Sequence, residues 1–238
     1  VDHLSELRNR LIVTAIFFII LFVVGFVYRN TIYSFFAKDI PFELNITSPG
    51  DIIWIWLMMA GLFAIIGTIP VLSLQIWLFV KPGLTPKERR ISATYIPAIS
   101  LLFIGGLIFG YFMFIKLILP FLLSLNDGAF NELFTVEKYF RFLFRMVIPF
   151  ALLFEIPIII MFLTSIELIT PNTLKKYRKY AYFGLLVMAA LVTPPDIVLH
   201  LVVSVPLFLL YELSIYLSAG VYRRKQKRLL ESEQGGGV

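Results

Sequence analysis

Long apolar runs, separated by short charged segments, constrain this chain more than any other feature. A helix of about 20 apolar residues crosses the roughly 30 Å hydrocarbon core of a bilayer. No water is there to pair backbone groups, so a spanning segment is a helix or part of a closed barrel. Continuous rather than alternating apolarity selects the helix. Hydrophobic residues make up 59% of the chain and charged residues 15%, with a mean hydropathy of +0.89. A soluble domain is nearer a quarter charged, so the solvent implied is lipid. The sequence therefore predicts an all-α integral membrane protein.

Six transmembrane helices are expected, over about 11–28, 52–79, 92–119, 139–166, 180–193 and 195–216. They form a single membrane domain over 1–222, followed by a basic tail over 223–238. The first run is long, has no small-residue cleavage site after it and is followed by further spans, so it is not a signal peptide. Val1 is not an initiator residue and Gly235 to Val238 read as an artificial extension, so neither end enters the argument. Pro70, Pro97, Pro149 and Pro157 fall inside or near the start of spans, where each removes a backbone bond and kinks its helix. Thr85-Pro86, Thr170-Pro171 and Thr193-Pro194 each place an N-cap residue before a proline suited to the first helical turn. The fifth span has 14 residues between Lys179 and Pro194, or about 21 Å of helix. The sixth has 15 apolar residues before Glu212. Both are expected to be short and to need shelter from neighbours.

Orientation follows from Lys and Arg. Alternate segments carry Arg8 and Arg10; Lys81, Lys87, Arg89 and Arg90; Lys175, Lys176, Arg178 and Lys179; and five cations from Arg223 to Arg228. The opposite side has Arg29, Lys38, Lys116, Lys138, Arg141 and Arg145, so the balance is fifteen to six. The positive-inside rule puts the first set, and both termini, in the cytoplasm. The same distribution explains the net charge of +6 without a nucleic-acid partner.

The chain has no cysteine and only two histidines, His3 and His200, far apart in sequence. That leaves no disulfide, thiol nucleophile or paired-histidine metal site. No HExxH, GxSxG or Walker A sequence occurs, so neither catalytic residues nor a cofactor is expected. In the segment 3–11, HLSELRNRL, the residues Leu4, Leu7 and Leu11 lie on one helical face and His3, Glu6 and Arg10 on another. This reads as a short amphipathic helix on the membrane surface, with a Glu6–Arg10 pair. After the second span comes QIWLFVKPGLTPKERR, residues 75–90, in which Thr85 and Glu88 form a capping box. Glu155 stands alone near the middle of the fourth span, where a carboxylate must face protein or water rather than lipid. Gln75 on the second span is a possible hydrogen-bond partner for it.

These motifs, in this order, resemble the TatC family, the core subunit of the twin-arginine translocase. The resemblance extends to Phe154-Glu155-Ile156-Pro157 and Thr193-Pro194-Pro195-Asp196 and covers essentially the whole chain. It implies recognition of twin-arginine signal peptides on folded cargo, and transport of that cargo driven by the proton-motive force. It also implies an oligomeric complex with TatA-like and TatB-like single-span subunits. The membrane would be the plasma (inner) membrane, or the thylakoid in a plastid. On the same resemblance, Glu6 and Glu88 form the signal-peptide site, with Phe79, Pro82, Arg89 and Arg90 in the loop motif and Arg8 and Arg10 in the N-terminal one. Two arginines call for two carboxylates, each able to accept a planar fork of donors. The flanking cations repel such a ligand and are expected to position the carboxylates or face lipid phosphates. Glu155, with Gln75, is expected to form a polar docking site for a partner's transmembrane helix. The alternatives are a secondary transporter or channel, or a scaffold subunit. A transporter would show paired broken helices or several polar residues at the midplane, and only Glu155 stands there.

Overall fold

The protein is described by a computed structural model over residues 2–83, 95–126 and 133–235. Its helices are α1 (Asp2–Val27), α2 (Arg29–Ala37), α3 (Pro49–Val80), α4 (Tyr95–Met113), α5 (Leu119–Ser124), α6 (Val136–Leu153), α7 (Ile156–Ser165), α8 (Pro171–Lys176), α9 (Arg178–Val192) and α10 (Ile197–Gly235). A 3₁₀ turn, Lys81–Gly83, follows α3, and a π turn, Phe114–Ile118, joins α4 to α5. Among the described residues, five stretches are long and apolar enough to cross a membrane: Leu4–Val27, Pro49–Gly83, Tyr95–Ser124, Val136–Ser165 and Ile197–Lys227. The fifth expected span is α9, whose 15 residues give about 22 Å of helix.

Several boundaries differ from the sequence expectation. The N-terminal segment is not a separate surface helix, because α1 runs unbroken from Asp2 through the first span. Nothing between Asn9 and Leu11 breaks a helix, and Arg10 is held by its own i−4 neighbour. Helix six is not short, since α10 has 39 residues. Its apolar stretch ends early, but the cations and glutamates beyond it are good helix formers. Thr193 does not open the last helix. Its hydroxyl donates to the Ala189 carbonyl at the end of α9, and Asp196 caps α10 instead, its Oδ1 accepting from the Leu199 amide at 2.9 Å. Thr170 does cap α8 as its Thr-Pro pair implies, accepting from the Thr173 amide. The Thr85 cap lies outside the described residues. At the start of α3, Ser48-Pro49-Gly50-Asp51 forms a capping box in which Asp51 Oδ2 accepts from the amides of Ser48 and Thr47. Helical structure continues through Pro70, Pro149 and Pro206. Pro157 coincides with the break at residues 154–155 that separates α6 from α7.

The chain divides into two compact units, Val1–Gly83 with Phe103–Ala151, and Leu84–Leu102 with Leu152–Val238. In the first, α1 and α3 pack antiparallel. A Cβ at Gly25 would lie 3.1 Å from Ala60 Cα and 3.0 Å from Phe63 Cβ, so the two backbones meet there. Leu21 faces Gly67 further along. Residues α4 and α6 meet in the same manner at Gly110, against Val147 and Phe150. An aromatic cluster joins α2 to this core: Phe36 sits edge-on to Tyr111, Phe140 and Phe144. Next to it, Phe42 stacks on Phe134 and Asn45 bridges to Phe134 and Val136 by backbone bonds of 2.8 and 3.0 Å.

In the second unit α10 is the central element, buried along Leu199, Val203, Leu207 and Ile215. Small buried serines let it approach α7, and Thr164 and Ser218 share a hydrogen bond of 2.7 Å. Glu212 accepts from Arg178 and Tyr182 of α9, and Tyr211 donates to the Leu174 carbonyl of α8. Beyond the apolar stretch, Lys225 donates to the Ser165 carbonyl and pairs with Glu167, each at 2.9 Å.

Candidate functional site

The antiparallel register of α1 and α3 decides which motif residues meet. Facing pairs run from Gly25 with Ala60, through Leu21 with Gly67, to Arg10 with Gln75. One helical turn further out, i−4 on α1 and i+4 on α3, the same two faces carry Glu6 and Phe79. The N-terminal motif and the motif after the second span thus share one end of one helix pair.

Arg10 is the hub. Its Nε donates to Glu6 Oε1 at 3.2 Å, Nη2 pairs with the same oxygen, and Nη1 reaches Gln75 Oε1 at 3.4 Å. The guanidinium therefore ties the first turn of α1 to the last turns of α3. Both bonds to Glu6 fall on Oε1, and among the described residues nothing donates to Oε2. The Glu6 side chain keeps 34% of its surface exposed. Arg8 is exposed. Pro82 is exposed and Phe79 half-buried, and the Lys81 ammonium lies 5.2 Å from the centre of the Trp77 ring. Glu88, Arg89 and Arg90 lie outside the described residues. Glu6 and Arg10 are half-buried while Leu4, Leu7 and Leu11 are exposed.

Glu155 sits at the break before α7, its amide donating to the Leu152 carbonyl and its carbonyl accepting from the Ile159 amide. Pro157 has no amide proton for the Leu153 carbonyl, which loosens the helix at this acid. Only 9% of Glu155 is exposed, and neither carboxylate oxygen has a hydrogen-bond partner among the described residues. Gln75 Oε1 accepts from Arg10.

Helices of this length and apolarity, with a buried acid inside a span, define a multi-pass membrane protein. The family model for the Sec-independent protein translocase protein (TatC) matches residues 2–206. The Bacillus subtilis (strain 168) protein TatCd is 40% identical over 227 residues, covering 95% of this chain and 94% of that one. TatCy of the same organism is 41% identical over 233 residues, covering 95% and 91%. A crystal structure of the twin arginine translocase receptor TatC superposes with a TM-score of 0.80 at 32% identity, covering 92% of this chain and 99% of that chain. The chain belongs to the TatC family: it is a subunit of the twin-arginine translocase, a membrane transport component and not an enzyme.

Proposed function

We propose that this subunit recognises twin-arginine signal peptides and, with TatA-like and TatB-like single-span partners, helps move folded cargo across the membrane on the proton-motive force. The observation that carries the reading is the partly exposed Glu6 carboxylate, held through Oε1 by Arg10 and its link to Gln75, at the end of the helix pair that carries Phe79 and Pro82. A receptor for two arginines needs two acceptors, and Glu88, in the same loop motif, supplies the second. Arg8, Arg10, Arg89 and Arg90 position the carboxylates or face lipid phosphates. The solved relative is described as a twin arginine translocase receptor, which favours the same reading. The test is direct. Purified protein should bind a fluorescent peptide carrying an Arg-Arg pair and should discriminate against the same peptide with Lys-Lys, whose point charges cannot form the fork. Equal affinity for the two would remove the proposal.

The proposed topology places both termini and the loops at Glu88 and Lys176 in the cytoplasm, with Asn45 and Asn131 on the far side, as the fifteen-to-six balance of Lys and Arg favours. Because the chain lacks cysteine, single introduced cysteines can be labelled in intact cells with an impermeant reagent. Labelling is expected at positions 45 and 131 only, and labelling at 88 or 176 would reverse the orientation.

Glu155 is proposed as the docking point for a partner's transmembrane helix, because its buried oxygens have no described partner inside the chain and a neighbouring helix can supply one. Removing an unpaired buried polar group costs a fold little. Glu155→Ala should therefore leave thermal stability intact while cross-linking to the single-span subunits falls several-fold, and Glu155→Gln should keep most of it. Normal cross-linking by a stably folded Glu155→Ala would end the docking role.

A further inference from the structure

Helix α7 stops in a turn with a backbone demand of its own. The Leu168 amide donates to the Leu163 carbonyl at 3.0 Å, and the Glu167 amide to the Thr164 carbonyl at 3.1 Å. This pair of bonds puts the residue between them in the left-handed region, where glycine usually sits. Here that residue is Glu167, with a φ of 64°, and among the described residues no other non-glycine has a positive φ. A side chain at this position strains the backbone, and glycine would not. Such strain persists where the surroundings hold it in place.

Lys225 of α10 holds it. The ammonium donates to the Ser165 carbonyl and pairs with Glu167 Oε1, each at 2.9 Å. It thus caps a carbonyl at the end of α7, where the helix supplies no partner, and meets the strained acid with the same three protons. Lys225 also ends a row. Ser204, Tyr211, Ser218 and Lys225 stand seven residues apart, a spacing that keeps them on one side of a helix. Ser204, Tyr211 and Ser218 are buried, and Ser218 bonds to Thr164 of α7. Arg223, Arg224 and Lys227 lie off this row and are exposed. The two sections of the row differ in strength. The Lys225 and Glu167 side chains keep 30% and 59% of their surface exposed, so their attraction is weak and comparable in size with the strain it offsets.

We propose that Glu167 and Lys225 form a latch that docks α10 beyond Ser218 on the end of α7, and that this latch opens and closes in the folded protein. Closed, it fixes the direction in which the C-terminal tail leaves the end of α7. Open, Glu167 relaxes out of the left-handed region and the last turns of α10 detach, while the Thr164–Ser218 seam stays packed.

Hydrogen exchange of the full chain in detergent micelles, read on the amides of 219–227, is the test, because it reports local opening. The wild type should protect these amides less than those of 204–218 but more than an unstructured chain, and absence of protection would overturn the latch. Glu167→Gln should speed their exchange about fivefold, and Lys225→Met, which also loses the Ser165 bond, about tenfold. The double variant should match Lys225→Met alone. Single effects that multiply would show two independent residues and overturn the pairing. Glu167→Gly separates the latch from an ordinary surface ion pair. It relieves the strained turn, so the melting temperature should hold or rise while the tail still exchanges several-fold faster. A lower melting temperature, or unchanged exchange of the tail, would overturn the proposal.

Discussion

Glu6→Gln is expected to weaken binding of a twin-arginine peptide by about 1.5–3 kcal/mol, roughly tenfold to 150-fold, while barely changing stability. The substitution keeps the side chain's size. The amide oxygen can still accept from Arg10, but the second oxygen is replaced by an NH2 group. A ligand arginine that meets Oε2 in the wild type would then meet donors with its own donors. The loss to the fold is that of a partly exposed i,i+4 ion pair, about 0.3–0.5 kcal/mol. Binding and folding effects thus differ enough for fluorescence anisotropy and a thermal melt to separate them. Glu88→Gln should behave alike, and because each carboxylate takes its own arginine, the double substitution should show the sum of the two losses. Normal peptide affinity in Glu6→Gln would remove this residue from the site. A double variant no weaker than one single would mean that only one carboxylate reads the peptide.

The second large effect concerns the helix pair that carries the site. Gly25→Val should destabilise the protein by about 1–3 kcal/mol, because the added carbons meet backbone that cannot give way. Gly67→Val is the internal control. The atom in its way, 2.5 Å from an added Cβ, is the Cδ1 of Leu21, the tip of a side chain that can swing aside. Its cost should be clearly smaller. Thermal unfolding in detergent measures both. Because Gly25 sets the approach of α1 to α3, forcing it apart should also strain the Arg10–Gln75 link and reduce peptide affinity, an effect Gly67→Val should largely spare. Equal stability of the two variants would mean that close contact at Gly25 does not hold the pair together.

Much of this was legible in the sequence because lipid makes the rules strict. Apolar runs gave the five long apolar helices, Pro157 marked the break before α7, and Thr170-Pro171 marked the start of α8. The box at Ser48 and Asp51 was equally available, though the apolar run alone starts three residues later, at Ile52. Other features have no local signal. Polar residues at Arg8, Asn9 and Arg10 look like the end of a span, yet their i−4 pairing and the contact with Gln75 carry the helix through them. Helix α2 mixes Arg29, Asn30 and Thr31 with aromatics, and it owes its place to the aromatic cluster that the tertiary fold assembles around Phe36. For the site, the family motif named Glu6, whereas Gln75 stood out only as a polar residue of the second span. Only the register of α1 against α3 joins Gln75 to Arg10, and no spacing within either motif contains that register.

The π turn at Phe114–Ile118 acts as a vernier in the longest interrupted helix of the first unit. The Leu119 amide donates to the Phe114 carbonyl, five residues back, which accommodates the ring of Pro120 where the narrower α ladder would clash. One wide turn holds one surplus residue, a phase slip of about 100°. The stretch before it is keyed by Gly110 to Val147 and Phe150, and the stretch after it by Leu119 to a different bearing. Losing a single residue here would close the turn into an unbroken α-helix and leave both halves on their present bearings. A gain or loss of one residue can therefore be absorbed at this turn by widening or closing it, whereas anywhere else in the same helix it would rotate every contact downstream.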